Sequence, residues 1–214
     1  MNNKMLVIVF DTETTGLPAT RDKYVTNGNL SLWPHIVQLS YIVYDTEKQE
    51  VVEVFDTIVK VAENVIIGEE SVKFHNITQE ISAERGIEIK TALLFFFASV
   101  KDAELIIAHN INFDLNMIRA EMLRSGEELD EYKIMFETKR KYCTMKESTA
   151  FCCMPSKYAN NYNRLKPPKL VELHQKLFND ETPTGLHNSL NDVKVTLRCF
   201  MKLRYDLDIQ RTEK

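Results

Sequence analysis

An apolar run, MLVIVF (5–10), passes without a spacer into DTETTG (11–16). A continuous run of this length reads as a central strand buried on both faces. Asp11 and Glu13 then follow at its end. Burying one carboxylate is costly, and a second beside it raises the cost of ionising either. Something positive must sit among them, or the strand must end before them. Residues i and i+2 of a strand share a face, so the two acids project together. That geometry suits a divalent cation held by oxygen ligands. A strand-end pair pointing into water is the alternative.

The rest of the chain reads as strands first, then helices alternating with strands. Residues 18–35 are polar, with proline near both ends, and read as a loop or insertion. IVQLSYIVYD (36–45) and VVEVFDTIVK (51–60) are rich in β-branched and aromatic residues and read as a hairpin. A short helix is expected at 69–75. Another follows, with Thr78 as its cap and Gly86 as its stop. Helices are expected at 88–101, 113–126, 168–178 and 189–205. Strands are expected at 104–110 and near 140–144. This order predicts a single α/β domain with a mixed sheet across residues 1–214.

Two further segments carry acids. Asp114 follows the strand ending in AHN, at the start of a helix, where the helix dipole alone favours an acid. Ligands also collect at the carboxyl ends of neighbouring parallel strands, and there Asp114 meets Asp11 and Glu13. In HNSLND (187–192), Ser189 and Asp192 fit a capping-box spacing. His187 faces the same side as Asp192 only if it belongs to the loop before the helix.

DTETTG, HNINFD and HNSLND, taken in order with H-x4-D in the last, resemble the DEDDh 3′→5′ exonuclease family. That family includes the proofreading subunits of bacterial replicative polymerases, ribonuclease T, oligoribonuclease and animal DNA-trimming exonucleases. HNIT (75–78) resembles a family signature that usually reads HGIT, and PKLVEL (168–173) resembles a family helix. The likeness spans roughly residues 4–203. It implies a ribonuclease H-like fold, a five-stranded mixed sheet flanked by helices with its second strand antiparallel to the rest. It implies hydrolysis of single-stranded nucleic acid, DNA favoured over RNA, from the 3′ end to nucleoside 5′-monophosphates.

By the same resemblance Asp11, Glu13, Asp114 and Asp192 hold two Mg²⁺ or Mn²⁺ ions about 4 Å apart, and His187 is the general base. Thr12, Leu17, Ile77 and Phe113 are the implied substrate contacts. Leu17 wedges against terminal bases, Phe113 packs on the last nucleotide, Ile77 lines the same pocket, and the backbone at Thr12 reads the 3′-hydroxyl. His75 and His109 are expected to be structural. Trp33 is left open between a substrate platform and a lid anchor. The rival readings are a scaffold that binds without cutting and an endonuclease of the same broad fold.

Net charge is −4, yet residues 139–169 hold eight Lys and Arg against the single acid Glu147. Two readings fit: a solvated loop, or a basic wall steering a polyanion towards the acids, with Tyr142, Phe151, Tyr158 and Tyr162 available for stacking. The four cysteines (143, 152, 153 and 199) lack a C-x-x-C spacing and suit reduced thiols in an intracellular, cytoplasmic protein. TALLFFFASV (91–100) is too short to span a bilayer and reads as a core helix, so no membrane association is expected. A stand-alone enzyme is expected, with a polymerase partner or a homodimer as the associations left open.

Overall fold

The computed structural model describes residues 5–156, 165–179 and 182–211. One sheet of order β4-β3-β2-β1-β5-β6 forms its centre. Its strands are β1 (Leu6–Thr14), β2 (Ile36–Asp45), β3 (Glu50–Lys60), β4 (Ile87–Glu88), β5 (Leu105–Ala108) and β6 (Arg140–Cys143). β2 runs antiparallel to β1 and β3, whereas β1/β5, β5/β6 and β3/β4 are parallel. Only β2 therefore opposes the common direction, as the resemblance implied.

The sheet has six strands rather than the expected five. β4 is two residues long and pairs only with Val59 and Lys60. So short a piece leaves no alternation to read in the sequence.

β1 is buried because helices cover both faces of the sheet. Ile8 and Phe10 point into the larger core with Phe96, Phe97 and Phe136. Val7 and Val9 point the other way, onto Val193, Leu197 and Phe200. The first face is covered by α3 (Ile89–Asp102), α4 (Asn112–Ser125) and α5 (Asp130–Thr138), and the second by α9 (Ser189–Tyr205). The core helix expected from TALLFFFASV is α3: Phe96 and Phe97 are fully buried, while Phe95 is exposed.

α5 had no counterpart in the sequence reading. Phe136 is its only buried residue, with Tyr132 and Met135 packed beside it against the main core. The remaining helices are α1 (Glu69–His75), α2 (Gln79–Arg85), α6 (Thr144–Glu147), α7 (Thr149–Cys152) and α8 (Leu170–Leu177). Thr78 caps α2 by accepting from Ile81 N, and Gly86 ends it, as expected. Among the described residues no helix is long and apolar enough to cross a membrane.

The 18–35 segment is anchored, not loose. Trp33 is buried in the main core. Arg124 donates to the carbonyls of Leu30, Trp33 and Pro34, and its charge is met by buried Glu121 at 2.8 Å. Trp33 therefore serves as the segment's anchor.

Candidate active site

Strand alternation distributes the residues of DTETTG. Asp11 and Glu13 share the parity of Val7 and Val9, so they face α9, while Thr12 faces the opposite helices. The N-terminus of α9 is fastened to this strand end. Ser189, fully buried, donates its hydroxyl to the Asp11 carbonyl at 2.7 Å, and its N–H reaches Gln38 Oε1 at 3.3 Å. Asp192, three residues on, is thereby carried to the acids of β1. Carboxylate oxygens of Asp11, Glu13 and Asp192 lie within 4.8 Å of one another.

The expected cap residue is corrected here. Asn188, not Ser189, caps α9, accepting from Asn191 N at 3.3 Å. Ser189 instead faces the strand.

Asp114 joins from the other side, in the first turn of α4 and almost fully buried. Thr12 donates to its Oδ1 twice, from the backbone N–H at 3.1 Å and the hydroxyl at 2.9 Å. The N–H and hydroxyl hydrogens of Thr12 are therefore directed at Asp114.

The four carboxyls resist ionisation. Burial, then the neighbouring acids Asp114, Asp192 and Glu13, holds Asp11 well above the usual carboxylate range. Burial, with Asp192 and Asp114 nearby, pushes Glu13 up to about 8. Asp114 is raised to about 7 by burial, against the opposing hydrogen bonds from Thr12. Burial raises Asp192 to about 6 against the N–H of His187.

These residues fit a divalent cation. Every donor in the group is a hard carboxylate oxygen, the ligand type of Mg²⁺ and Mn²⁺. Asp192 Oδ1 is buried with no hydrogen-bond partner, while its Oδ2 accepts from His187 N at 3.3 Å. A carboxylate with an unpartnered buried oxygen, grouped with two other acids, fits a cation.

A stability prediction follows from the sign of these shifts. An acid whose folded pKa is raised contributes stability fully present below its unfolded value, about 4. That contribution is lost as pH rises through about 6, 7 and 8 for Asp192, Asp114 and Glu13. Melting curves in EDTA and in saturating Mg²⁺ should diverge steadily from about pH 5 to about pH 8, because cation binding needs the ionised forms. A constant gap across that range would mean that the cluster does not take the cation.

Glu13 opens from the acidic group onto a cleft of about 660 Å³, lined among others by Thr12, Leu17, Phe74, Phe113 and His187. His187 lies in the loop before α9, the condition under which it can share a face with Asp192, with a left-handed φ of 67°. Its ring is exposed and packs on Phe74, with centroids 5.1 Å apart. Leu17 is 85% exposed at the cleft edge, and Phe113 is half-buried there. Ile77 is not among the lining residues. It is buried in a small core with Val37, Val61 and Ile67, so its visible role is packing.

The sequence reading missed the contribution of α1. Gly68, Glu69, Glu70, Ser71 and Phe74 all line the cleft. His75 draws this helix in: its Nε2 donates to the Thr14 carbonyl at 3.2 Å, and its Nδ1 accepts from Ile77 N at 3.0 Å. Asn76 has a φ of 60°, which explains how asparagine replaces the usual glycine of HGIT, since asparagine tolerates that region. The HNIT motif thus follows the helix expected at 69–75, whose place in the cleft wall was the part the sequence did not show.

His109 is structural in the same sense. Its Nε2 donates to the Pro168 carbonyl at 3.1 Å and its Nδ1 meets the Thr144 hydroxyl at 2.9 Å. Burial lowers its pKa to about 4, so the ring stays neutral.

Three lysines of the basic stretch are engaged by neighbouring groups where it is described. Lys139 and Lys141 donate to main-chain carbonyls at the ends of α3 and α5, and Lys166 pairs with Glu172 at 2.6 Å. Arg140 is level with Leu105 and Val7, so β6 begins at the end of the sheet away from Asp11. Tyr142 packs on the α9-side core. Lys157, Tyr158, Tyr162 and Arg164 lie outside the described residues.

A model of an exonuclease family, RNase_T, matches residues 8–200. The chain belongs to this exonuclease family. As a member it is a nuclease hydrolase, and its acidic cluster is a candidate metal centre.

This exonuclease is 31% identical over 121 residues to DNA polymerase III subunit epsilon of Buchnera aphidicola subsp. Schizaphis graminum, covering 56% of the chain and 47% of that protein. It is 29% identical over 128 residues to a DNA polymerase III subunit epsilon-like protein of Rhodobacter capsulatus, covering 60% of the chain and 16% of the relative. The matches thus span about half or less of these curated relatives.

Among solved structures, Exonuclease X with 5′-overhanging duplex DNA aligns over 94% of this chain and 92% of its own, at TM-score 0.57 and 18% identity. E. coli Exonuclease I with a dA16 oligonucleotide aligns over 97% of this chain and 42% of its own, at TM-score 0.65 and 17% identity. At these identities the likeness establishes the shared fold.

Proposed function

We propose that this exonuclease removes nucleotides from the 3′ end of single-stranded nucleic acid, DNA in preference to RNA, and releases nucleoside 5′-monophosphates. The convergence of Asp11, Glu13 and Asp192 oxygens within 4.8 Å carries the reading, with Asp114 held against Thr12 beside them. Two divalent cations, Mg²⁺ or Mn²⁺, supply charge neutralisation, a more acidic attacking water and stabilisation of the departing 3′-oxygen when bound.

Asp11, Glu13 and Asp192 would hold one cation, and Asp11 with Asp114 would hold the second. Thr12 fixes the carboxylate of Asp114. A ring nitrogen of His187, exposed at the cleft, accepts the proton of the attacking water. Leu17 and Phe113 offer apolar walls to the terminal bases. The epsilon-like relatives support a DNA substrate and raise a polymerase as a candidate partner. A second copy of the chain is the other candidate.

The test is a 5′-labelled single strand with Mg²⁺. A ladder shortening from the 3′ end, abolished by EDTA and slower on the matched RNA, is the expected result. Cutting of circular single-stranded DNA would identify an endonuclease, and binding without cutting a scaffold. Either outcome overturns the proposal.

A further inference from the structure

We infer that Phe74, together with Asn191 and Gly185, is the device that positions the His187 imidazole. The inference rests on His187 being the proton acceptor. His187 sits on an exposed loop with a positive φ, where a ring has many orientations open to it. Three contacts restrict that freedom.

The first is the N–H of His187, which donates to Asp192 Oδ2 at 3.3 Å and ties the backbone to the acidic cluster. The second lies behind the loop. Asn191 Nδ2 donates to the Gly185 carbonyl at 2.9 Å. Gly185 has a φ of 69°, and a Cβ there would come within 2.7 Å of that same nitrogen. Glycine thus meets both the dihedral and the close approach that this hydrogen bond requires.

The third contact acts on the ring itself. Phe74 is 56% exposed and belongs to none of the core clusters, yet its ring meets the imidazole at 5.1 Å and 57°. Its helix is fixed to the end of β1 by two hydrogen bonds. His75 Nε2 donates to the Thr14 carbonyl, and Gly68 N donates to the Thr15 carbonyl at 2.9 Å. Phe74 is therefore held in the same frame as Asp11 and Glu13. The ring face of Phe74 sets where the imidazole stands relative to the acids, and the Asn191–Gly185 link sets the height of the loop. Phe74 acts through His187 and is a positioning residue.

The experiment is a double-mutant cycle on labelled single-stranded DNA with Mg²⁺, joined to NMR of the histidine rings in the metal-free protein. Phe74→Ala is expected to lower kcat on the order of 10-fold, with KM changed by less than about twofold. Phe74→Tyr, which keeps the ring face, should restore kcat. In a His187→Ala background Phe74→Ala should cost nothing more. Asn191→Ala should behave as Phe74→Ala does, and the His187 ring resonances should shift in Phe74→Leu.

Equal losses in both backgrounds, or a loss confined to KM, would assign Phe74 to the substrate and overturn the inference. Unmoved His187 resonances would overturn it independently of catalysis. Full activity in His187→Ala alone would instead remove the proton-acceptor reading, and with it the purpose of the contact, while leaving the ring contact itself measurable.

Discussion

Exchange of Asp11 for asparagine is expected to lower turnover by at least about 10³-fold and to raise the melting temperature of the metal-free protein near pH 8. Asp11 is the one carboxylate proposed to serve both cations. Losing several kcal/mol of charge stabilisation in the transition state, at about 1.4 kcal/mol per tenfold, gives that magnitude. The stability gain has the opposite origin. Asp11 is forced to share a buried corner with Asp114, Asp192 and Glu13, and an amide of the same shape removes one of the mutually repelling charges. The main-chain carbonyl that Ser189 holds at 2.7 Å is kept, so α9 stays docked. Single-turnover rates in Mg²⁺ and melts with and without Mg²⁺ read out both effects. Turnover near the wild-type value, or an unchanged Mg²⁺-induced thermal shift, would mean that the cations bind elsewhere.

His187→Ala should cost about 10²–10⁴-fold in kcat, the usual worth of a positioned general base, and leave the Mg²⁺-induced thermal shift intact. The two effects separate because the ring of His187 packs on Phe74, outside the acidic group. Its backbone N–H, which donates to Asp192, survives the substitution. The two variants thus divide the site. One is expected to lose cation binding and rate together, the other rate alone. A thermal shift lost in His187→Ala would show that the imidazole itself helps to build the cation site.

Much of this site was legible because its chemistry is local in the chain. The acids of DTETTG sit where an apolar run stops, and the i, i+2 rule puts both on one face whatever the run packs against. The spacing of His187 and Asp192 lets the two share a face only if the histidine lies in the loop, and it lies there. Residues whose roles depend on a distant partner were misread. Ser189 looks like a helix cap by spacing, but a fully buried hydroxyl facing β1 takes the strand's carbonyl instead. Lys139 and Lys141 look like free positive charge, but helix ends beside them supply carbonyls to bond. Phe74 had no periodic signal at all, because it packs on neither core.

The sequence by itself determined the buried strand, the acids at its end, the order of the motifs and the membership of a metal-using nuclease family. Each of these is set by residue type and short spacing. Only the tertiary structure decided that α1 walls the cleft and that Thr12 serves Asp114. It also showed that the basic stretch, where described, begins at the far end of the sheet, and that β4 adds a sixth strand. These depend on which elements meet across the sheet. That choice is made by long-range packing, and no stretch of a few residues encodes it.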